Sequence, residues 1–153
     1  MPQQHPVSGE TLKAILDAFN AHDLDAIMEF FADDCSFDMP RGPEPWGQRF
    51  TGKAAVREAL ATRFSGLPDV HYGEDRHWVS GNLGVSEWLL TGTTPDGRRV
   101  LIAKGAPESL AIADVKEQKL VAEYNANKVM IEFYLWRRYH GVRGRGSKQK
   151  VDR

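Results

Sequence analysis

Few side chains in this chain of 153 residues combine a reactive type with a suggestive spacing. Asp38 is one. It lies where Cys35, Phe37 and Met39 alternate with Ser36 and Asp38, the period of a strand. To serve as a general base beside the apolar set it needs a bulge or register shift; without one it faces outward. Lys104 and Glu108 fall on one parity of a candidate strand. A glutamate held against apolar walls has a raised pKa and can give or take a proton, whereas a nearby ammonium keeps it ionised. As a solvated pair on an edge strand the two would do neither. His71, Asp75 and His77 bring two imidazoles and a carboxylate close in sequence. No second cluster completes a metal site, so no metal is assigned and these histidines are read as structural or surface groups. Cys35 is the only cysteine, which rules out an intrachain disulfide and fits a reducing compartment.

The elements that must position these groups follow from periodicity. Ser8 can cap a helix whose Leu12, Ile15, Leu16 and Phe19 form one stripe. Asn20-Ala21-His22 breaks it, and Asp23 can cap a second helix with Leu24, Ile27, Met28 and Phe31, ended by Asp33-Asp34. A strand follows through Met39. Pro40 to Gly52 is rich in Pro and Gly and reads as an ordered loop holding Trp46, either a lid or a buried anchor. Thr51 or Gly52 opens a third helix with Val56, Leu60 and Phe64 inside, stopped by Gly66 and Pro68. Strands are then expected over 70–79, 85–94 and 98 to about 113. The turns between them are Ser80-Gly81-Asn82 and Pro95-Asp96-Gly97. Residues 115–136 mix helix and strand preferences and are read as mainly strand. Glu87, Leu89, Thr91 and Thr93 share one face of their strand, with Trp88 and Leu90 on the other. If the first set faces a pocket, the second pair forms an outer patch suited to a homodimer.

Apolar residues make up 41% and charged residues 27%, with a net charge of −1. That describes one soluble domain with a core, and no global field for nucleic acid. The first six residues show no secretion signal, and no apolar run spans a bilayer. A cytoplasmic protein is expected. The domain is placed at 1–136, and 137–153 is read as a basic, disordered tail that makes nucleic acid an unlikely partner, lacking aromatic interleaving.

Three pieces point to a family. Phe19-Asn20-Ala21-His22-Asp23-Leu24-Asp25-Ala26-Ile27, Phe31-Ala32-Asp33-Asp34, and Thr51-Gly52-Lys53-Ala54-Ala55-Val56-Arg57-Glu58 together resemble the SnoaL-like and ketosteroid-isomerase-like branch of the nuclear-transport-factor-2-like (NTF2-like) superfamily. The resemblance implies an α+β fold: a cone-shaped barrel with N-terminal helices packed on a curved, mainly antiparallel sheet. It also implies a dimer through the outer sheet face and a pocket for a small, mostly apolar molecule. Ketosteroid isomerase chemistry does not carry over. The base position holds Met39 and the oxyanion tyrosine position holds Ile15. The partner acid falls at Ala106 without gaps, or at Glu108 with two inserted residues.

Phe19, Phe37, Met39, Trp46, Phe64, Leu89, Thr91 and Lys104 are the expected pocket residues. Glu108, and less readily Asp38, are the expected acid/base groups. Two functions stay open. One is a cofactor-independent isomerase, cyclase or dehydratase working by proton transfer. The other is a non-catalytic ligand-binding or dimerisation module. A buried carboxylate with a partner donor favours the first; an all-apolar pocket favours the second.

Overall fold

The computed structural model describes residues 7–45, 47–102, 110–116 and 119–125. Trp46, Lys104, Glu108, Ala106 and the tail lie outside the described residues, so the roles expected of them rest on sequence.

Helix α1 spans Gly9–Asn20, and its N-cap Ser8 accepts from the Thr11 N–H at 3.2 Å. Leu12, Leu16 and Phe19 are its buried stripe. Helix α2, Leu24–Glu29, is capped by Asp23, which accepts from the Ala26 N–H at 3.0 Å. It is shorter than its apolar spacing predicts. The chain turns extended at Phe31, so Asp33 and Asp34 belong to strand β1, Phe31–Glu44. Helix α3, Lys53–Gly66, buries Val56, Ala59 and Leu60.

Strand β2, Gly47–Thr51, returns antiparallel to β1, so the expected loop over 40–52 is a hairpin. The prolines are tolerated for a physical reason. Met39 faces Gln48 but Glu44 faces Gly47, so Pro40 and Pro43 fall in a bulged stretch of β1 that owes β2 no regular ladder. Strands β3, His71–Ser80, and β4, Leu83–Thr93, form the expected hairpin. Strand β5, Arg99–Ile102, and β6, Leu110–Lys116, both pair with β4, and β7, Lys119–Asn125, turns back on β6. The ambiguous segment after 115 is thus a strand as far as it is described.

The sheet order is β2-β1-β7-β6-β4-β3, with β5 beside β4. Among the described strands only the β1–β7 pair is parallel. Among the described residues the sheet is not closed into a barrel: β2 and β3 stand at its two ends. Helices α1 and α3 cover one face. Between helices and sheet lie Ile27, Phe31, Cys35, Val56, Leu60, Val70 and Leu90, all 1% exposed or less. Burying each large aliphatic or aromatic group contributes about 1.5–3 kcal/mol.

The quoted sequence pieces have structural work to do. The Asn20 side chain donates to the Tyr72 carbonyl at 2.9 Å and accepts from the Tyr72 N–H at 2.8 Å, occupying the open edge of β3. The His22 ring, at a left-handed φ of 55°, reaches the Val70 carbonyl at 2.6 Å. Asp25 pairs with Arg57 at 2.5 Å and ties α2 to α3. The Gly52 N–H donates to the Cys35 carbonyl at 2.8 Å where α3 leaves the sheet.

Candidate functional site

A cavity of about 50 Å³ lies between α1 and the sheet. Leu12, Ile15, Leu16 and Phe19 line it from α1, and Arg63 from α3. Its sheet wall is Tyr72, Gly84, Ser86, Trp88, Ala111, Ala113 and Leu120. Helix and sheet come this close because position 84 is glycine: a Cβ there would sit 2.8 Å from the Leu12 Cδ2. The Tyr72 ring meets Trp88 edge-on at 5.3 Å between centroids and Phe19 at 5.8 Å.

Ser86 is buried, at 7% exposure, in the same wall as the buried Tyr72 hydroxyl. The Ser86 hydroxyl lies 2.8 Å from His77 Nδ1, and His77 Nε2 lies 2.8 Å from Asp75 Oδ2. Serine, imidazole and carboxylate therefore form one hydrogen-bonded chain that ends on the cavity wall. An ionised Asp75 can only accept. With one proton on the ring, that proton sits on Nε2, and Nδ1 accepts from the serine hydroxyl. The Asp75 carboxyl is held below the usual carboxylate range. Burial pushes it upward, but the His77 hydrogen bond, a backbone hydrogen bond and the nearby Lys13 charge outweigh that.

Strand register explains how these groups meet. The tight turn at 81–82 sets Ser80 opposite Leu83, which puts His77 opposite Ser86 on the same face. Between Gly73 and Arg76 the pairing slips by one residue, and Glu74 takes a left-handed φ of 50°. This bulge lets Tyr72, Asp75 and His77 all face inward although 72 and 75 differ in parity. The sequence signal was available: the hairpin turn alone pairs 77 with 86, and 75 shares parity with 77. Reading His71, Asp75 and His77 as a possible metal set hid it. His71 is exposed and takes no part in the chain.

The expected pocket residues scatter. Phe19 lines the cavity. Phe37 is core, packed on Phe31 with centroids 6.4 Å apart. Phe64 packs on Phe19 and on the His22 ring rather than lining the space. The expected faces of β4 are reversed: Gly84, Ser86, Trp88, Leu90 and Gly92 are buried, while Glu87, Leu89, Thr91 and Thr93 are half-exposed. Leu89 and Thr91 therefore face away from the cavity. Trp88 and Leu90, at 7% and 1% exposure, are covered by the helices and form no outer patch for a second copy. Alternation fixes which residues share a face, not which face is inside.

Asp38 also faces away. Its carboxylate accepts two hydrogen bonds of 2.7 Å from Arg49, the residue opposite it on β2. The pairing of β1 shifts against β7 before Ser36 and against β2 after Met39, and between the two the buried Phe37 leaves its neighbour Asp38 on the opposite face. Of the strand expected over 98–113, the described residues form β5 and the start of β6, which pair with β4 in different registers. Leu90 faces Ile102, but three residues back along β4 Glu87 faces Leu110, eight residues on. Lys104 and Glu108 fall between β5 and β6, outside the described residues, so their shared parity rests on sequence.

Met39 lines a second, wider space, a cleft of about 320 Å³. Its walls are Met39, Pro40 and Arg41 from β1, Thr62, Arg63, Gly66 and Leu67 at the end of α3, and Leu90, Thr94, Val100 and Ile102. Arg63 belongs to the walls of both spaces. Among the described residues no three histidine, cysteine or acidic side chains converge in a metal-like group, and no helix is long and apolar enough to cross a membrane.

The fold recurs in solved structures. A candidate polyketide cyclase of Xanthomonas campestris matches with a TM-score of 0.62 and 21% identity, over 80% of this chain and 93% of that one. An NTF2-like protein of Burkholderia pseudomallei matches with a TM-score of 0.63 and 20% identity, over 80% and 93%. TerC, crystallised with polyporic acid, matches with a TM-score of 0.62 and 16% identity, over 80% and 94%. At these identities the likeness is one of fold. No curated protein matches the sequence. The model of the SnoaL-like domain matches residues 12–123, which takes in all the described elements except the start of α1 and the end of β7. The chain belongs to the SnoaL-like domain family, on an NTF2-like fold.

Proposed function

We propose that this protein is a cofactor-independent enzyme that moves a proton on a small, mostly apolar molecule, in an isomerisation, cyclisation or dehydration. The observation that carries the reading is the Ser86 hydroxyl in an otherwise largely apolar cavity wall, backed by His77 and Asp75 at 2.8 Å each. Ser86 Oγ takes a proton from an acidic C–H or O–H of the substrate as its own proton passes to His77 Nδ1. Asp75 stabilises the imidazolium that forms. The proton then returns to another substrate atom, or leaves with a hydroxyl group as water. Charge and electrons balance without an oxidant or a metal. TerC, which resembles this chain in fold, was co-crystallised with polyporic acid, a small organic molecule, which agrees with this reading.

A second reading has its own observation. The cavity is about a third of the volume, roughly 150 Å³, that accepts benzene in an engineered protein core. A space that small suits a binding module whose ligand sits elsewhere.

Deuterium uptake from D2O into 2-tetralone, a small apolar ketone with an acidic C–H, separates the readings. The wild type should exceed the buffer rate, and Ser86→Ala or His77→Asn should lower the enzymatic rate about 100-fold or more. Glu108→Gln should leave it unchanged. Loss of exchange in Glu108→Gln alone would return the acid/base role to the residue that the family resemblance pointed to. Binding of 2-tetralone with no exchange above buffer would favour the module.

A further inference from the structure

We infer that Arg63 makes the cleft beside the cavity a site for the carboxylate, or an equivalent planar oxyanion, of a small molecule with an apolar body. The inference rests on the reading of this face as a small-molecule site and specifies the ligand's chemical class.

Arg63 lies near the end of α3, half-buried, with its guanidinium carbon 5.7 Å from the centre of the Tyr72 ring. A cation held over an aromatic face is attracted to the ring without using up its N–H donors. The planar guanidinium carries five N–H donors, and a carboxylate can take two of them in parallel. Among the described residues no carboxylate pairs with Arg63, unlike Arg49, Arg57 and Arg98, which are matched to Asp38, Asp25 and Asp96. A partly desolvated cation without a counter-ion, set in an apolar surround, favours an anion arriving from solution.

The space fits the rest of such a ligand. At about 320 Å³ the cleft falls in the size range of small-molecule pockets, about 300–1,000 Å³, and Met39, Leu67, Leu90, Val100 and Ile102 give it apolar walls. The adjoining cavity is too small for a whole substrate but carries the Ser86 hydroxyl. Because Arg63 lies in both walls, the guanidinium anchors the charged end of a ligand at the boundary between the two spaces. The wide space takes the apolar body.

The test uses two probes of nearly equal shape, 4-phenylbutanoate and 4-phenylbutanamide, titrated calorimetrically into the full-length protein near neutral pH. The wild type should bind the carboxylate at least about tenfold more tightly than the amide, the size expected of a charge-assisted hydrogen-bond pair. Arg63→Gln should bind both alike, with the amide affinity kept as evidence that the cleft is intact. Arg63→Lys should keep part of the preference. Equal binding of the two probes by the wild type, binding of neither, or a preference that survives Arg63→Gln overturns the inference. A wild type that prefers the carboxylate yet fails to exchange 2-tetralone overturns the proton-transfer reading and leaves the anion site standing. The reverse outcome overturns the anion site alone.

Discussion

Asp75 does two things at once. It orients the His77 ring, and its depressed pKa makes the fold sensitive to acid. A carboxylate whose folded-state pKa lies below its unfolded value adds stability that is fully present above the unfolded value. That stability is lost as pH falls through the folded one. For Asp75 the window therefore opens near the ordinary carboxylate value, about 3.9, and extends downward. Replacing Asp75 by Asn should make the acid limb of stability against pH shallower below about pH 4, with little change in its shape near neutrality. Urea denaturation at stepped pH values measures this, and an unchanged acid limb would show that Asp75 is not held ionised by the fold. Single residues were the hardest scale to read from sequence. The types were visible, and Asp75 and His77 were noticed together. Their partner Ser86 is nine positions from His77 and meets it only across a hairpin, so no local spacing announces the chain. Asp38 attracted notice by family position, and its cross-strand neighbour Arg49, within a stretch read as loop, was not seen as its counter-ion.

The strand β3 shows how an element can set a site. Its bulge at Glu74 places a non-glycine residue in left-handed backbone, which costs about 1–2 kcal/mol, and a cost of that kind persists where surrounding structure holds it. The bulge keeps Tyr72 facing inward while the turn at 81–82 keeps Asp75 and His77 inward. Deleting Glu74 should leave the turn half of β3 in register and rotate Tyr72 out from between Phe19 and Trp88. The loss should be about 3–5 kcal/mol, comparable to removing a buried aromatic ring. A urea midpoint that moves by less than about 1 kcal/mol equivalent would mean that the strand re-forms with Tyr72 still inside. Elements themselves were largely legible. Helices α1 and α3, the β3–β4 hairpin and the break at Asn20–His22 follow from capping residues and periodicity. The β1–β2 hairpin did not, because two prolines and a glycine between Met39 and Glu44 read as loop when pairing partners are unknown. A bulge is invisible for the same reason: it is a property of two strands, not of one.

At the scale of the whole molecule, the described sheet and its three helices enclose a narrow cavity and flank a wider cleft, with Arg63 in the walls of both and the Ser86–His77–Asp75 chain ending on the cavity's sheet wall. The family was legible from the first hundred residues because its motif residues perform fixed structural tasks. Asn20 occupies a sheet edge, Asp23 caps a helix, and Asp25 and Arg57 join two helices. Those tasks say nothing about catalysis, which is why the fold could be read and the chemistry could not. Sidedness was the other loss. Alternation along β4 grouped its residues correctly but could not say that the helices cover the face of Trp88 and Leu90. The central claim is that Ser86 and His77 act as one unit on the proton of a bound molecule. A double-mutant cycle on 2-tetralone exchange tests it most directly. If they form one relay, Ser86→Ala, His77→Asn and the double variant should all lose about the same factor, because the second substitution has nothing left to remove. Losses that multiply in the double variant, or a His77→Asn variant as fast as wild type, would contradict it.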